Sequence, residues 1–165
     1  FMPRNLMTTL SAGGSAALLG GAYLFQLLGY PPCAMCLWQR WPHVAAILIG
    51  LLAVKMPGKI MPALGALAAG TTAAIGVFHT GVEKDWWEGP STCTGGAGGL
   101  EGLSGMDLLA VEGAQVVMCD QVSWEFLTLS MASWNAVASF GLMIGWIIAV
   151  RLSGASTATG SSRTV

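Results

Sequence analysis

The chain has 165 residues, of which 54% are hydrophobic and only 9% charged, with a formal net charge of −1. A soluble domain carries about 25% charged residues, so there is too little charge here to cover a water-exposed surface. The few bases form no patch, which excludes a nucleic-acid footprint.

The length fits one domain. Four apolar stretches, each of roughly 18–23 residues, can cross a hydrocarbon core of about 30 Å as helices. The first covers about Leu6 to Leu28, after Arg4. No small-residue cleavage site closes it, so it is expected to stay in the membrane rather than serve as a signal peptide. Next comes YPPCAMCLWQRW, Tyr30 to Trp41, which leads into the second span at about Leu37 to Val54. Pro42 is expected to interrupt this helix, leaving the Cys36–Arg40 turn as a separate piece. A short turn, KMPGK, precedes the third span at about Ile60 to Phe78. A long loop, about Thr80 to Met131, precedes the fourth span at about Ala132 to Val150. The fold class is therefore an all-α membrane protein, a four-helix bundle with one long loop between helices three and four.

The bases set the orientation. With four alternating spans, Arg4, Lys55, Lys59, Arg151 and Arg163 share one side, and positive residues mark the cytoplasmic face. Both termini then lie in the cytoplasm. All four cysteines, Cys33, Cys36, Cys93 and Cys119, lie on the opposite side, the periplasm if the source is bacterial, where disulfides persist. All eight acids fall between Glu83 and Glu125, in or beside the long loop. The loop is glycine-rich, and residues 103–117 show an apolar spacing expected of a short helix on the membrane surface. The tail from Ser153 has no apolar periodicity and is expected to be disordered.

A Cys-x-x-Cys pair binds metal, attaches haem or cycles between dithiol and disulfide. Haem attachment needs a histidine where Leu37 stands. Zinc needs four ligands, and Cys93 and Cys119 lack paired spacing; no metal site is expected. The redox reading draws on position: Pro32 and Cys33 lie where a helix can begin, and exposed N–H groups of a first turn favour a thiolate at Cys36. Arg40 follows one turn later on the same face. Two inert structural bridges are the plainer alternative. A bridge between Cys93 and Cys119 would constrain the unfolded chain by roughly 3–4 kcal/mol in the entropic account. His43 is read as structural, hydrogen-bonded to a neighbouring helix. Trp86, Trp87, Trp124 and Trp134 are read as an interfacial belt.

PPCAMCLWQRW, FHTGVE, STC, MCD and SWEFLTLSMASWN together resemble the disulfide bond formation protein B (DsbB) family over about residues 20–150. The resemblance implies a thiol:quinone oxidoreductase of the bacterial inner membrane. Its cofactor would be a membrane quinone, ubiquinone or menaquinone, and its partner a periplasmic DsbA-like thiol oxidase. It implies that Cys93 and Cys119 form the loop pair, that the partner attacks Cys93, and that Cys119 attacks Cys33. Cys36 would face the quinone, with Arg40, His79, Met131 and Gln26 as quinone-binding residues. One alternative is a vitamin K epoxide reductase-like enzyme, against which Cys-x-x-Cys precedes the loop pair instead of following it. Another is a four-span scaffold that binds a partner and carries two structural disulfides.

Overall fold

The computed structural model describes residues 3–90, 93 and 118–160, the last few (155–160) by backbone alone. Four long helices make up the bundle: α1 (Arg4–Leu27), α2 (Ala34–Lys55), α3 (Ile60–Glu83) and α4 (Met131–Gly160). A two-stranded antiparallel hairpin, β1 (Glu125–Phe126) and β2 (Leu129–Ser130), precedes α4. The expected surface helix at 103–117 lies outside the described residues, as do residues 161–165 of the tail.

Among the described residues, three helices are long and apolar enough to cross a membrane: Ala34–Lys55, Ile60–Glu83 and Met131–Gly154. The first expected span, α1, has the length but is more polar, with Arg4, Asn5, Thr8, Thr9, Ser11 and Ser15 in its first half. Of these, Thr8, Ser11 and Ser15 are buried within the protein.

The helix ends differ from the hydropathy pattern for local reasons. At the end of α1 the N–H of Tyr30 bonds Phe25 O at 3.1 Å and that of Gly29 bonds Gln26 O at 3.2 Å. Gly29 takes φ 96°, the left-handed residue that closes such a motif. The end of α3 repeats the pattern, Trp86 to Gly81 O at 2.9 Å and Asp85 to Val82 O at 3.2 Å, with Asp85 at φ 56°. Helix α3 thus runs on past Phe78 and carries His79 and Glu83 with it. Helix α2 begins at Ala34 and contains Pro42 without a break in its helical assignment, so the separate Cys36–Arg40 turn is not present. Its first turn is capped by the Cys33 thiol, which accepts the Cys36 N–H at 3.2 Å. Helical backbone also continues beyond Ser153 to Gly160, where the residues lack an apolar stripe but include three alanine and serine positions compatible with a helix.

Close approach of the helices depends on small residues, as it must where lipid gives helices no hydrophobic reason to associate. A Cβ on Gly65 would lie 2.5 Å from the Trp146 ring, which is fully buried. A Cβ on Gly76 would lie 3.0 Å from Ala136 Cβ and 3.1 Å from Ala132 O. These contacts zip α3 to α4, while Gly50 meets Ala12 between α2 and α1.

The packing gathers the chain's chemistry at opposite ends. At one end Arg4 donates to Ala53 O at 2.8 Å and Met56 O at 3.1 Å, capping the end of α2. Lys59 approaches Gly154 at the same end. The described cysteines, His79 and the hairpin occupy the other.

Gly65→Leu is expected to force α3 from α4 and destabilise the protein by about 1–3 kcal/mol. Gly13→Ala, whose added Cβ meets nothing within 4 Å, is the control and should not lower stability. Unfolding midpoints of the two variants in mixed micelles check this.

Candidate functional site

Three chain segments bring sulfur together. The Pro31–Pro32 segment leads into α2 with Cys33 as its N-cap, and Cys36 follows in the first turn. The two Sγ atoms are 2.8 Å apart and unbridged, with the Cys33 thiol donating to Cys36. That hydrogen bond, with burial added, holds the Cys33 thiol far above the usual thiol range. Cys33 is the donor and Cys36 the acceptor sulfur of the pair. Cys93 and Cys119 form a disulfide with Cα atoms 4.7 Å apart. The Cys119 N–H bonds the Cys93 carbonyl at 2.7 Å. Both loop sulfurs are in fully buried residues.

The loop bridge sits on the vestibule pair. Cys33 Sγ, Cys119 Sγ and a ring nitrogen of His79 all lie within 4.8 Å of one another. Cys33 and His79 could serve as metal ligands, but Cys119 Sγ is bonded to Cys93 and offers no thiolate. A disulfide beside a thiol is instead the starting geometry of thiol–disulfide exchange.

A polar chain runs from this cluster into the bundle. His79 Nε2 is 3.2 Å from Cys119 O and 3.6 Å from Cys33 Sγ. Gln39 Nε2 lies 3.0 Å from His79 Nδ1 and donates to Met35 O at 3.3 Å. Asn135 Nδ2 donates to Gln39 Oε1 at 2.6 Å, and Asn135 Oδ1 lies 3.0 Å from His43 Nε2. Thr72 donates to Gln39 O at 3.2 Å and accepts from Asn135 Nδ2 at 3.2 Å. Three backbone carbonyls, of Met35, Gln39 and Cys119, fix the directions here, since a carbonyl can only accept. Met35 O requires the Gln39 amide nitrogen on its side, so Gln39 donates to His79 Nδ1 and accepts from Asn135. Cys119 O requires a proton on His79 Nε2. Both histidines are thereby assigned as Nε2–H tautomers.

A cavity of about 460 Å³ opens beside the sulfur pair. It is lined by Cys33, Cys36, Arg40, His43, His79 and Glu83, with Met131, Trp124, Phe126 and Trp134 among its apolar walls. The Arg40 guanidinium stacks 4.7 Å over the Tyr23 ring and donates Nη1–H to Gln26 Oε1 at 2.9 Å. Its Nε is buried with no hydrogen-bond partner among the described residues. Glu83 accepts the Ser130 hydroxyl and lies 3.8 Å from His79 Nε2. The hairpin forms one wall: Leu127 and Thr128 take φ 52° and 64°, and Trp134 Nε1 donates to Phe126 O at 3.0 Å.

The structure thus brings Cys33, Cys36, Arg40, His79 and Met131 to one cavity and sets the Cys93–Cys119 bridge against it. Gln26 does not line the cavity among the described residues; it holds Arg40 instead. Trp124 and Trp134, read as belt residues, line the cavity too. His43 does bond a neighbouring helix, through Asn135. Sequence reasoning missed Gln39, Thr72, Asn135 and Glu83. The available signal was polarity inside apolar spans, which is expensive unless the groups pair.

The chain matches the family profile "Disulfide bond formation protein DsbB" over residues 4–149. It is similar to disulfide bond formation protein B of a Polaromonas species, 27% identical, with 92% of this chain and 93% of the relative covered. Its likeness to the Shewanella amazonensis protein of that name is 28%, covering 89% and 90%. For the Verminephrobacter eiseniae protein the values are 29%, 93% and 90%. No solved structure matches significantly. Coverage from the first helix to the fourth, with a thiol pair and a disulfide in exchange geometry, leads to one assignment: the chain belongs to the DsbB family of membrane oxidoreductases that generate protein disulfides.

Proposed function

We propose that this protein takes electrons from a DsbA-type dithiol in the periplasm and delivers them to a membrane quinone through the Cys93–Cys119 and Cys33–Cys36 pairs. The observation that carries the reading is the approach of Cys33 Sγ and Cys119 Sγ within 4.8 Å, with Cys36 beside Cys33 at the cavity wall. All four helices span the inner membrane in this reading. The 24 residues of α1 reach about 36 Å at ~1.5 Å per residue. The basic end faces the cytoplasm and the cysteine end the periplasm.

The steps balance as follows. A partner thiolate attacks Cys93 Sγ, the loop S–S bond breaks, and Cys119 leaves as thiolate. The partner's second thiol resolves the mixed disulfide and frees Cys93. Cys119 then attacks Cys33 Sγ of an oxidised Cys33–Cys36 pair, and Cys36 leaves as thiolate. Attack of Cys93 on Cys119 restores the loop bridge and leaves Cys33 and Cys36 as the dithiol, the arrangement described above. His79 Nε2–H faces both exchanging sulfur positions and can stabilise a departing thiolate by donation.

The cavity fits a quinone. Its walls are mostly apolar and aromatic, and Arg40 Nε is an unpartnered donor buried beside it. A quinone, when bound, supplies the acceptor for the two electrons and two protons of the dithiol. Arg40, held by Gln26 and Tyr23, polarises it and offsets negative charge at Cys36. Cys36 would present the electron-donating sulfur, and Met131 would form part of the apolar wall around the ring.

Two variants test the route. Cys119→Ser leaves the Cys93 thiolate free to attack the disulfide of an oxidised DsbA-type partner, with no second loop thiol to release it. A covalent complex, lost on reduction, should appear on non-reducing gels; folded protein with no complex contradicts the relay. Arg40→Ala should lower kcat/KM for quinone roughly 10–100-fold, as loss of a charged hydrogen bond of about 1.5–3 kcal/mol predicts. Steady-state quinone reduction beside a thermal melt checks this, and a melt that falls in step with activity would return Arg40 to a structural role.

A further inference from the structure

His43 has no part in the sulfur relay, yet it lines the same cavity on the α2 face that carries Cys36 and Arg40. It lies three residues past Arg40, one turn farther into the bundle, and is only 3% exposed. Its Nε2 is engaged by Asn135 Oδ1 at 3.0 Å and Thr72 Oγ1 at 3.4 Å. Its Nδ1 is buried with no partner among the described residues. The directions set by the Met35 carbonyl through Gln39 and Asn135 put the proton on Nε2, so Nδ1 presents a lone pair. Burying an acceptor without a donor costs free energy unless something in the cavity supplies the donor.

Arg40 and His43 are neighbours at i and i+3 on one helix face. One offers an unpartnered donor and the other an unpartnered acceptor. An oxidised quinone ring carries carbonyl oxygens, which would set a lone pair against Nδ1. A hydroquinone carries hydroxyls, which can donate. We propose that His43 Nδ1 accepts the hydroxyl hydrogen of a hydroquinone seated in this cavity, while Arg40 donates to the ring's other oxygen. The inference rests on the quinone reading of the cavity and adds a selection: the site holds the reduced ring more tightly than the oxidised one. For a two-electron couple, a tenfold preference raises the bound potential by about 30 mV, making the bound ring a better acceptor for electrons from Cys36. The Gln39–Asn135 amide pair is what keeps the imidazole in the tautomer this requires.

The test uses the full chain in detergent micelles, in a Cys33→Ser/Cys36→Ser background that cannot exchange electrons. Decylubiquinone and anaerobic decylubiquinol are the probes, and quenching of tryptophan fluorescence reads Kd. With His43 present, the quinol is expected to bind about tenfold tighter than the quinone, the size of one hydrogen bond of ordinary strength. His43→Leu should bring the ratio near one while moving the quinone Kd less than about twofold. Equal affinity for the two forms with His43 in place, or a preference that survives His43→Leu, overturns the inference while the quinone function stands. Binding of neither form sinks both. Nitrogen-15 NMR of the histidine ring, assigned with His79→Asn, removes dependence on the His43 variant. An unprotonated His43 Nδ1 that shifts on adding quinol and not quinone supports the inference; a protonated Nδ1 in the free protein, or no quinol-specific shift, refutes it.

Discussion

The hydrogen bond from His79 on α3 to the carbonyl of Cys119 ties the loop disulfide to the helical bundle. It holds Cys119 beside Cys33, where exchange requires it, and it fixes which ring nitrogen of His79 carries the proton. The other ring nitrogen is fixed by Gln39, and Gln39 by Met35 O and Asn135. A contact at the cysteine end of the bundle is therefore linked, amide by amide, to residues two turns deeper. Such a network is costly in a membrane unless nearly every member is paired. His43 Nδ1 and Arg40 Nε are two buried atoms left over, and both belong to residues of the cavity wall.

The bundle around this network is built for close backbone approach rather than for large apolar side chains. Gly65 receives the ring of Trp146 and Gly76 receives Ala136, so α3 and α4 hold their register. That register places Asn135 of α4 within reach of Gln39 on α2 and Thr72 on α3. Helix packing and site geometry are thus one problem: sliding α4 by a turn would break the amide chain and move Met131 and Trp134 from the cavity.

Much of the fold was legible in the sequence because hydropathy over eighteen or more residues is a strong signal. The three membrane-competent helices and the turn at KMPGK followed from apolar runs and the residues that interrupt them. Boundaries were less so. The extension of α3 to Glu83 rests on a left-handed Asp85, which no turn signal advertises. The hairpin was missed for the same reason: Leu127 and Thr128 occupy positions where asparagine and glycine are the usual sign. Pro42 reads as a break because it removes an N–H, yet α2 runs through it. Of the site, the Cys33, Cys36 and Arg40 face followed from spacing and position. His79 and Met131 came from resemblance. Gln26 also comes from that comparison of sequences, and in the structure it accepts a hydrogen bond from Arg40. The Gln39–Asn135 link was invisible because it joins residues ninety-six positions apart across two helices.

The most direct test is disulfide mapping of the Cys36→Ser protein. With Cys36 absent, the Cys33 thiolate can attack Cys119 Sγ across the short gap, releasing Cys93 as a free thiol. After slow exchange at mildly alkaline pH and alkylation, peptide mass spectrometry should find a Cys33–Cys119 link together with alkylated Cys93. Recovery of Cys93–Cys119 alone, with Cys33 alkylated throughout, would contradict the handover on which the account depends.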